Sequence, residues 1–132
     1  MDNFFITSEY VLKIGDFGFA TKDVKPEDFR GTEWYKAPEI VQKVAYDPFK
    51  SDVYSCGVIL ITMITYLPPV TIKASSEDKL YRHVMAGDFN KYWKTFKKIL
   101  NKKERTLDQD LYELINLCIN PDPSLRPTYE EI

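Results

Sequence analysis

This chain of 132 residues has only two cysteines, a single histidine and no unbroken apolar run long enough for a membrane. Cys56 and Cys118 lie in apolar stretches of helical character and follow no metal-ligand spacing. That excludes a disulfide framework and a cysteine metal site, and predicts buried free thiols in a reducing compartment. His83, the lone imidazole, stands in a stretch of mixed polarity and is expected to be exposed and inert. The N-terminus lacks the basic and apolar regions of a signal peptide, so the expected location is intracellular and cytoplasmic. There is no internal repeat and no low-complexity segment. Charge of one sign is lacking too: 18 basic against 20 acidic side chains give a net charge of −2. Nothing global draws the chain to nucleic acid or to an anionic bilayer.

What is present begins with two short runs rich in β-branched and aromatic residues, Phe4 to Thr7 and Tyr10 to Ile14, joined across Ser8-Glu9. They predict a β-hairpin. Phe19 to Arg30 carries Lys22, Asp23, Lys25, Glu27 and Asp28 around Pro26, with Val24 and Phe29 its only other large apolar residues, and reads as an exposed loop. Pro38 suits the first position of a helix. Ser51 to Leu67 is the most hydrophobic stretch, broken by Asp52, Ser55, Thr62 and Thr65 and closed by Pro68-Pro69. A membrane helix needs about 18 or more apolar residues, so this is expected to be a core helix, apolar all round.

Further helices are predicted at Ser76 to Ala86, capped by Ser76 and ended by Gly87, and after Asp88, where Phe89, Tyr92, Trp93 and Phe96 recur at helical spacing. A third opens at Thr106 with Gln109 as its capping box, showing Leu111, Leu114, Ile115, Cys118 and Ile119 on one face. Thr128 and Glu131 form another capping box near the end of the sequence. The expected fold class is mostly α with one small β-hairpin.

Two triplets give this order a chemical meaning. Asp16-Phe17-Gly18 is followed, after eighteen residues, by Ala37-Pro38-Glu39, with Gly31-Thr32-Glu33-Trp34-Tyr35-Lys36 just before the second triplet. Either triplet alone is weak, and a strand-ending Asp in a surface turn would account for the first. Together, at this spacing, the stretch resembles the activation segment of eukaryotic-type protein kinases. The resemblance covers nearly all 132 residues. It implies a partial protein kinase domain over 1–132: the larger part of the C-terminal lobe of that α+β fold, with the N-terminal lobe absent.

The resemblance carries over residue by residue. In the family an Asn that binds the second Mg²⁺ closes the catalytic loop thirteen residues before the Asp of Asp-Phe-Gly, and Asn3 stands at that distance from Asp16. Asn3 and Asp16 would therefore be the metal ligands, with Phe17 and Gly18 beside them at the nucleotide, and ATP and Mg²⁺ the expected cofactors. Thr32 would support the catalytic Asp, while Gly31, Thr32, Glu33, Trp34 and Tyr35 would face a protein substrate. Thr32, and Tyr35 where tyrosine kinases usually carry Trp, point to the serine/threonine type. Asp52, Tyr54, Ser55 and Gly57 match the start of the lobe's central helix, with Asp52 a buried structural anchor. Cys118, Asp122, Pro123, Arg126 and Pro127 match the closing pattern, and Glu39 with Arg126 the buried ion pair that ties the activation segment down.

Asp28 lies three residues before Gly31, where many such kinases are phosphorylated. A carboxylate there is a candidate built-in substitute for phosphate, paired with the Arg of His-Arg-Asp, against the plainer reading of a solvated loop residue. The catalytic Asp, the Gly-rich loop and the phosphate-binding Lys would all fall before Met1. This chain alone is thus expected to be inactive. A pseudokinase-like interaction module, or an inert remnant, is the competing reading. Two departures from the family stand out: Gly15 replaces a bulkier apolar residue, and Leu67-Pro68-Pro69-Val70 stands where Gly-x-x-Pro-Phe is common. Finally, Lys91 to Arg105 holds seven basic residues and one acid, Glu104. A docking face for an acidic partner competes there with a solvated surface balanced elsewhere, and the net acidity favours the latter.

Overall fold

The computed structural model describes residues 3–23, 28–100 and 108–132. It is mostly helical with one two-stranded antiparallel sheet. β1 (Phe4–Ile6) pairs with β2 (Leu12–Ile14) in the register Phe4↔Ile14, Phe5↔Lys13 and Ile6↔Leu12. The strands are shorter than predicted because the connection spans Thr7 to Val11. It is closed by Thr7 N–H to Val11 O at 3.0 Å and Tyr10 N–H to Thr7 O at 3.0 Å, with Tyr10 at φ 61°. Every strand residue is exposed.

The helices are α1 (Pro38–Val41), α2 (Pro48–Thr65), α3 (Arg82–Met85), α4 (Phe89–Leu100) and α5 (Gln109–Cys118), with 3₁₀ turns at Glu33–Tyr35 and Pro123–Leu125. Asp47 starts α2 by accepting from Phe49 N–H at 2.8 Å, and Pro48 sits at the first helical position. Tyr66, at φ 63°, ends it. One side of α2 packs on α5 through Tyr54, Val58 and Ile61, all fully buried with Ile115 and Ile119.

α2 is not buried all round, as its composition predicted. Phe49, Asp52, Cys56 and Met63 form an exposed stripe on the side away from the core. Cys56 is thus an exposed thiol, and only Cys118 is buried; burial pushes the Cys118 thiol up to about 11. Asp52, expected from the resemblance as a buried anchor, is likewise exposed in this chain and accepts no hydrogen bond among the described residues. α2 is covered by α5 and by the 3₁₀ turns at Glu33–Tyr35 and Pro123–Leu125, and this stripe is the side they leave open.

The predicted helix over Ser76 to Ala86 reduces to α3. The side chain of Asp78, not Ser76, organises its start. Asp78 Oδ1 accepts from Leu80 N–H and Tyr81 N–H at 2.9 Å, and Oδ2 accepts from Thr71 N–H and Ile72 N–H at 2.8 Å and from the Thr71 hydroxyl at 2.6 Å. By tying the incoming loop as well as the helix start, it holds Ser76 to Tyr81 in turns. α3 ends at Gly87, with Asp88 N–H reaching His83 O at 2.8 Å and Gly87 N–H reaching Val84 O at 2.9 Å, the two bonds of a Schellman stop. His83, predicted exposed, is buried.

α4 is capped by Asp88, which accepts from Lys91 N–H at 2.9 Å. Tyr92, Trp93 and Phe96 face inward. The Tyr92 and Phe96 rings stack, while Trp93 meets Phe96 and Tyr112 of α5 edge to face, the Tyr112 centroid 4.8 Å from that of Trp93. Each polar tip finds an acceptor: Tyr92 OH on Pro69 O at 3.3 Å, Trp93 Nε1 on Asn116 Oδ1 at 2.8 Å, and Tyr81 OH on Ile119 O at 2.8 Å. Full burial of each large apolar side chain contributes roughly 1.5–3 kcal/mol. Asp108 caps α5 through Asp110 N–H; the predicted Thr106 start lies outside the described residues. Glu131 reaches back to Thr128 N–H at 2.7 Å, the return half of a capping box. Among the described residues no helix is long and apolar enough to cross a membrane.

Candidate functional site

The hairpin ladder continues one step past the strands, through Gly15 N–H to Asn3 O at 2.9 Å. That bond sets Asn3 and Asp16 side by side at the open end, and Asn3 Nδ2 donates to Asp16 Oδ2 at 3.4 Å. Asp16 adopts φ 58° and its Oδ1 accepts from Gly18 N–H at 3.2 Å. Gly15 has a packing reason to be small. A Cβ there would lie 2.8 Å from the Phe5 ring, which covers the turn leading into Asp16. Phe17 is exposed.

Gly31, at φ 124°, and Thr32 lead into the short 3₁₀ turn Glu33–Tyr35. Thr32, at φ −75° and ψ 125°, precedes Glu33–Tyr35, and its hydroxyl makes no hydrogen bond among the described residues. Lys36 Nζ contacts Glu33 Oε1 at 2.5 Å, and Ser55 of α2 donates to Tyr35 O at 3.0 Å. Gly31, Thr32, Glu33 and Trp34 are exposed, while Ala37 to Ile40 are buried.

Burial at that point centres on an ion pair. Arg126 Nη1 donates to Glu39 Oε1 at 2.7 Å and Nη2 to Oε2 at 2.8 Å. Its remaining donors meet Lys50 O at 3.0 Å and Asn120 O at 2.8 Å, and Lys50 Nζ returns a bond to Arg126 O at 2.5 Å. The guanidinium also stands 5.2 Å from the Tyr54 ring.

Asp28 has a partner that the sequence did not suggest. Arg30 Nε lies 2.8 and 2.9 Å from its two oxygens, Nη2 contacts Oδ2, and Arg30 N–H reaches Oδ1 at 3.1 Å. These bonds lower the Asp28 pKa to about 2. The same guanidinium lies 4.8 Å over the Phe19 ring, and Tyr46 OH donates to Asp28 O at 2.8 Å. Residues from both ends of the loop, Phe19 and Asp28, thus meet on Arg30. A spacing of two puts the pair on no common helix face, and the stretch reads as a loop, so only the fold reveals the pair.

A model of the protein kinase domain matches residues 1–132. The chain belongs to the protein kinase family. It is 33% identical over 135 aligned positions to sperm motility kinase 3A of Mus musculus, 31% identical over 138 to CBL-interacting protein kinase 5 of Oryza sativa subsp. japonica, and 30% identical over 134 to serine/threonine-protein kinase Nek9 of Xenopus laevis. These alignments cover 98–99% of the chain but 24%, 27% and 13% of those kinases.

Proposed function

We propose that these residues form the larger part of the C-terminal lobe of a serine/threonine protein kinase, and that the intact protein transfers the γ-phosphoryl group of ATP to Ser or Thr hydroxyls inside the cell. The observation that carries the reading is the meeting of Asn3 and Asp16 at the mouth of the hairpin, 3.4 Å apart, immediately ahead of a segment whose far end is tied into the core by Glu39 and Arg126.

The donor set suits Mg²⁺. One carboxylate and one amide oxygen are hard ligands, both side chains are exposed, and Mg²⁺ takes few protein ligands and keeps several waters. Asn3 and Asp16 would hold it. When bound beside ATP, Mg²⁺ neutralises charge on the transferring phosphate. The chain's own residues supply position. Gly15 and Phe5 fix the turn that presents Asp16, and the Gly18 N–H orients one carboxylate oxygen. Ser55 and the buried Glu39 hold Thr32 to Tyr35 as a platform open to a substrate hydroxyl, with Thr32 supporting the catalytic Asp of the intact protein.

The test is phosphoryl transfer by the full-length protein to a library of Ser, Thr and Tyr peptides with labelled ATP and Mg²⁺. Activity on Ser and Thr peptides, reduced at least about a hundredfold by Asp16→Asn, supports the reading. A folded full-length protein that transfers nothing would sink it, and would leave the non-catalytic interaction module in its place.

A further inference from the structure

We propose that the lysine face of α4 is a docking surface for an acidic peptide segment of a protein partner. It stands apart from the phosphoryl-transfer reading and uses none of those residues. α4 buries Tyr92, Trp93 and Phe96 and turns Lys91, Lys94, Lys97 and Lys98 outward, all four exposed. Among the described residues none of the four is paired with an acid. Two carboxylates of this region accept other bonds: Asp88 from the Lys91 N–H of the helix cap, and Glu113 from Gln109.

Shape accompanies the charge. Lys94 lines two recesses, one of about 480 Å³ shared with Lys91, Lys98 and the cap residue Asp88, the other of about 380 Å³ shared with Trp93, Lys97 and Asn116. In the second, Asn116 Oδ1 is taken by the Trp93 indole. Its amide nitrogen has no partner among the described residues and is left as a donor to a carboxylate. Lys97 Nζ lies 5.8 Å from the Tyr112 ring at the edge of the same recess.

Scale identifies the partner. Lys91 to Lys98 spans about 10 Å of helix, and the chain's net charge is −2 with these lysines included. The positive field is therefore local. A long polyanion or a bilayer would meet the acidic remainder, whereas a short extended peptide would not. Alternate side chains of an extended peptide point the same way about 6.6 Å apart, so glutamates at every second position reach successive lysines of the face.

The probe is a fluorescein-labelled (Glu-Ser)6 peptide titrated with the 132-residue chain at low salt, read by anisotropy and by Trp93 emission in a Trp34→Phe background. Saturable binding is expected, weakened at least about tenfold in K94Q/K97Q and steeply by raising salt to about 0.3 M. The control K13Q/K79Q should bind as the parent does, and (Gln-Ser)6 should not bind. Three results would overturn the proposal: no saturable binding by the folded parent, equal binding by K94Q/K97Q with unchanged circular dichroism, or equal loss in the control. Poly(U) or phosphatidylserine vesicles binding more tightly than the peptide through Lys94 and Lys97 would also overturn it, by assigning the face to another class of ligand.

Discussion

Glu39 and Arg126, separated by 87 residues, share two hydrogen bonds of 2.7 and 2.8 Å in the interior of the chain. One belongs to α1, the other to the loop after α5. With both side chains nearly removed from water, the pair is worth little against an apolar substitute but a great deal against a half-pair. Arg126→Met leaves Glu39 buried and alone, and Glu39→Gln leaves the guanidinium charge uncompensated. Each single variant should lose about 3–5 kcal/mol of unfolding free energy. Denaturant titration of both, and of the double variant Glu39→Gln/Arg126→Met, checks this. The double variant should lose less than the two single losses added together.

Asp78 is the second buried charge on which the packing turns. Burial pushes its carboxyl up, but the bonds from the Thr71 hydroxyl and the Tyr81, Ile72 and Leu80 amides outweigh that and hold it below its ordinary value of 3.8. A depressed carboxyl contributes stability that is full above its unfolded pKa and is lost as the pH falls through the folded one. Asp78→Asn should therefore destabilise by about 2–4 kcal/mol at neutral pH, from lost charge-assisted bonds and stranded amides. The gap between parent and variant should narrow only below the ordinary value of 3.8. Melting temperatures of both proteins between neutral and acid pH measure it; a constant gap would show that the charge plays no part.

Much of the fold was legible in the sequence, because its signals are local. The hairpin follows from strand-forming residues, α4 from the spacing of Phe89, Tyr92, Trp93 and Phe96, and its cap from Asp88. What escaped depends on neighbours remote in sequence. Ser76 looked like a helix cap, yet Asp78 takes that place because Thr71 and Ile72 are brought to its other oxygen. Cys56 looked buried because α2 is apolar on every side, yet it lies on the stripe that the packing leaves open. His83 looked exposed because it stands in a stretch of mixed polarity, yet it is buried. At the site, the counting from Asp16 back to Asn3 is legible through a family pattern. The clasp of Arg30 on Asp28 is not, since the sequence offered phosphate mimicry by Asp28 but no partner within the loop.

That clasp yields the third prediction. The Arg30 hydrogen bonds are what bring the Asp28 carboxyl to about 2, and both groups remain open to solvent. In Arg30→Gln the Asp28 titration, followed by carboxyl carbon NMR, should move up toward 3.8 while the fold stays intact. If Asp28 serves the full-length kinase as a fixed negative charge, Asp28→Asn should lower the activity of the unphosphorylated enzyme. Arg30→Gln should then raise it or leave it unchanged, because it frees the carboxylate for another cation. Equal activity of Asp28→Asn and parent across salt concentrations would show that the charge is not used.

The last prediction concerns Gly57, in the middle of α2. A glycine inside a helix is unfavourable by about 1 kcal/mol relative to alanine, so Gly57→Ala would stabilise α2 if the helix stood alone. It does not stand alone. A Cβ at this position would come within 2.7 Å of Cys118 Cβ and 2.9 Å of Ile119 Cγ2, with the Cys118 carbonyl carbon at 3.5 Å behind them. Neither atom is the free end of a flexible chain, since one is the root of a buried side chain and the other belongs to a fully buried isoleucine. Relief therefore requires α2 and α5 to separate, at an overpacking cost of about 1–3 kcal/mol that equals or exceeds the propensity gain. Gly57→Ala should melt at a lower temperature than the parent. Cys118→Ala should not restore it, because alanine keeps the offending Cβ. Adding Ile119→Val on the Gly57→Ala background should not restore it either, since valine retains a γ2 methyl. Only Cys118→Gly, which removes the nearer contact, should recover part of the loss, and calorimetry of the four variants separates this from a generic intolerance of the helix to substitution.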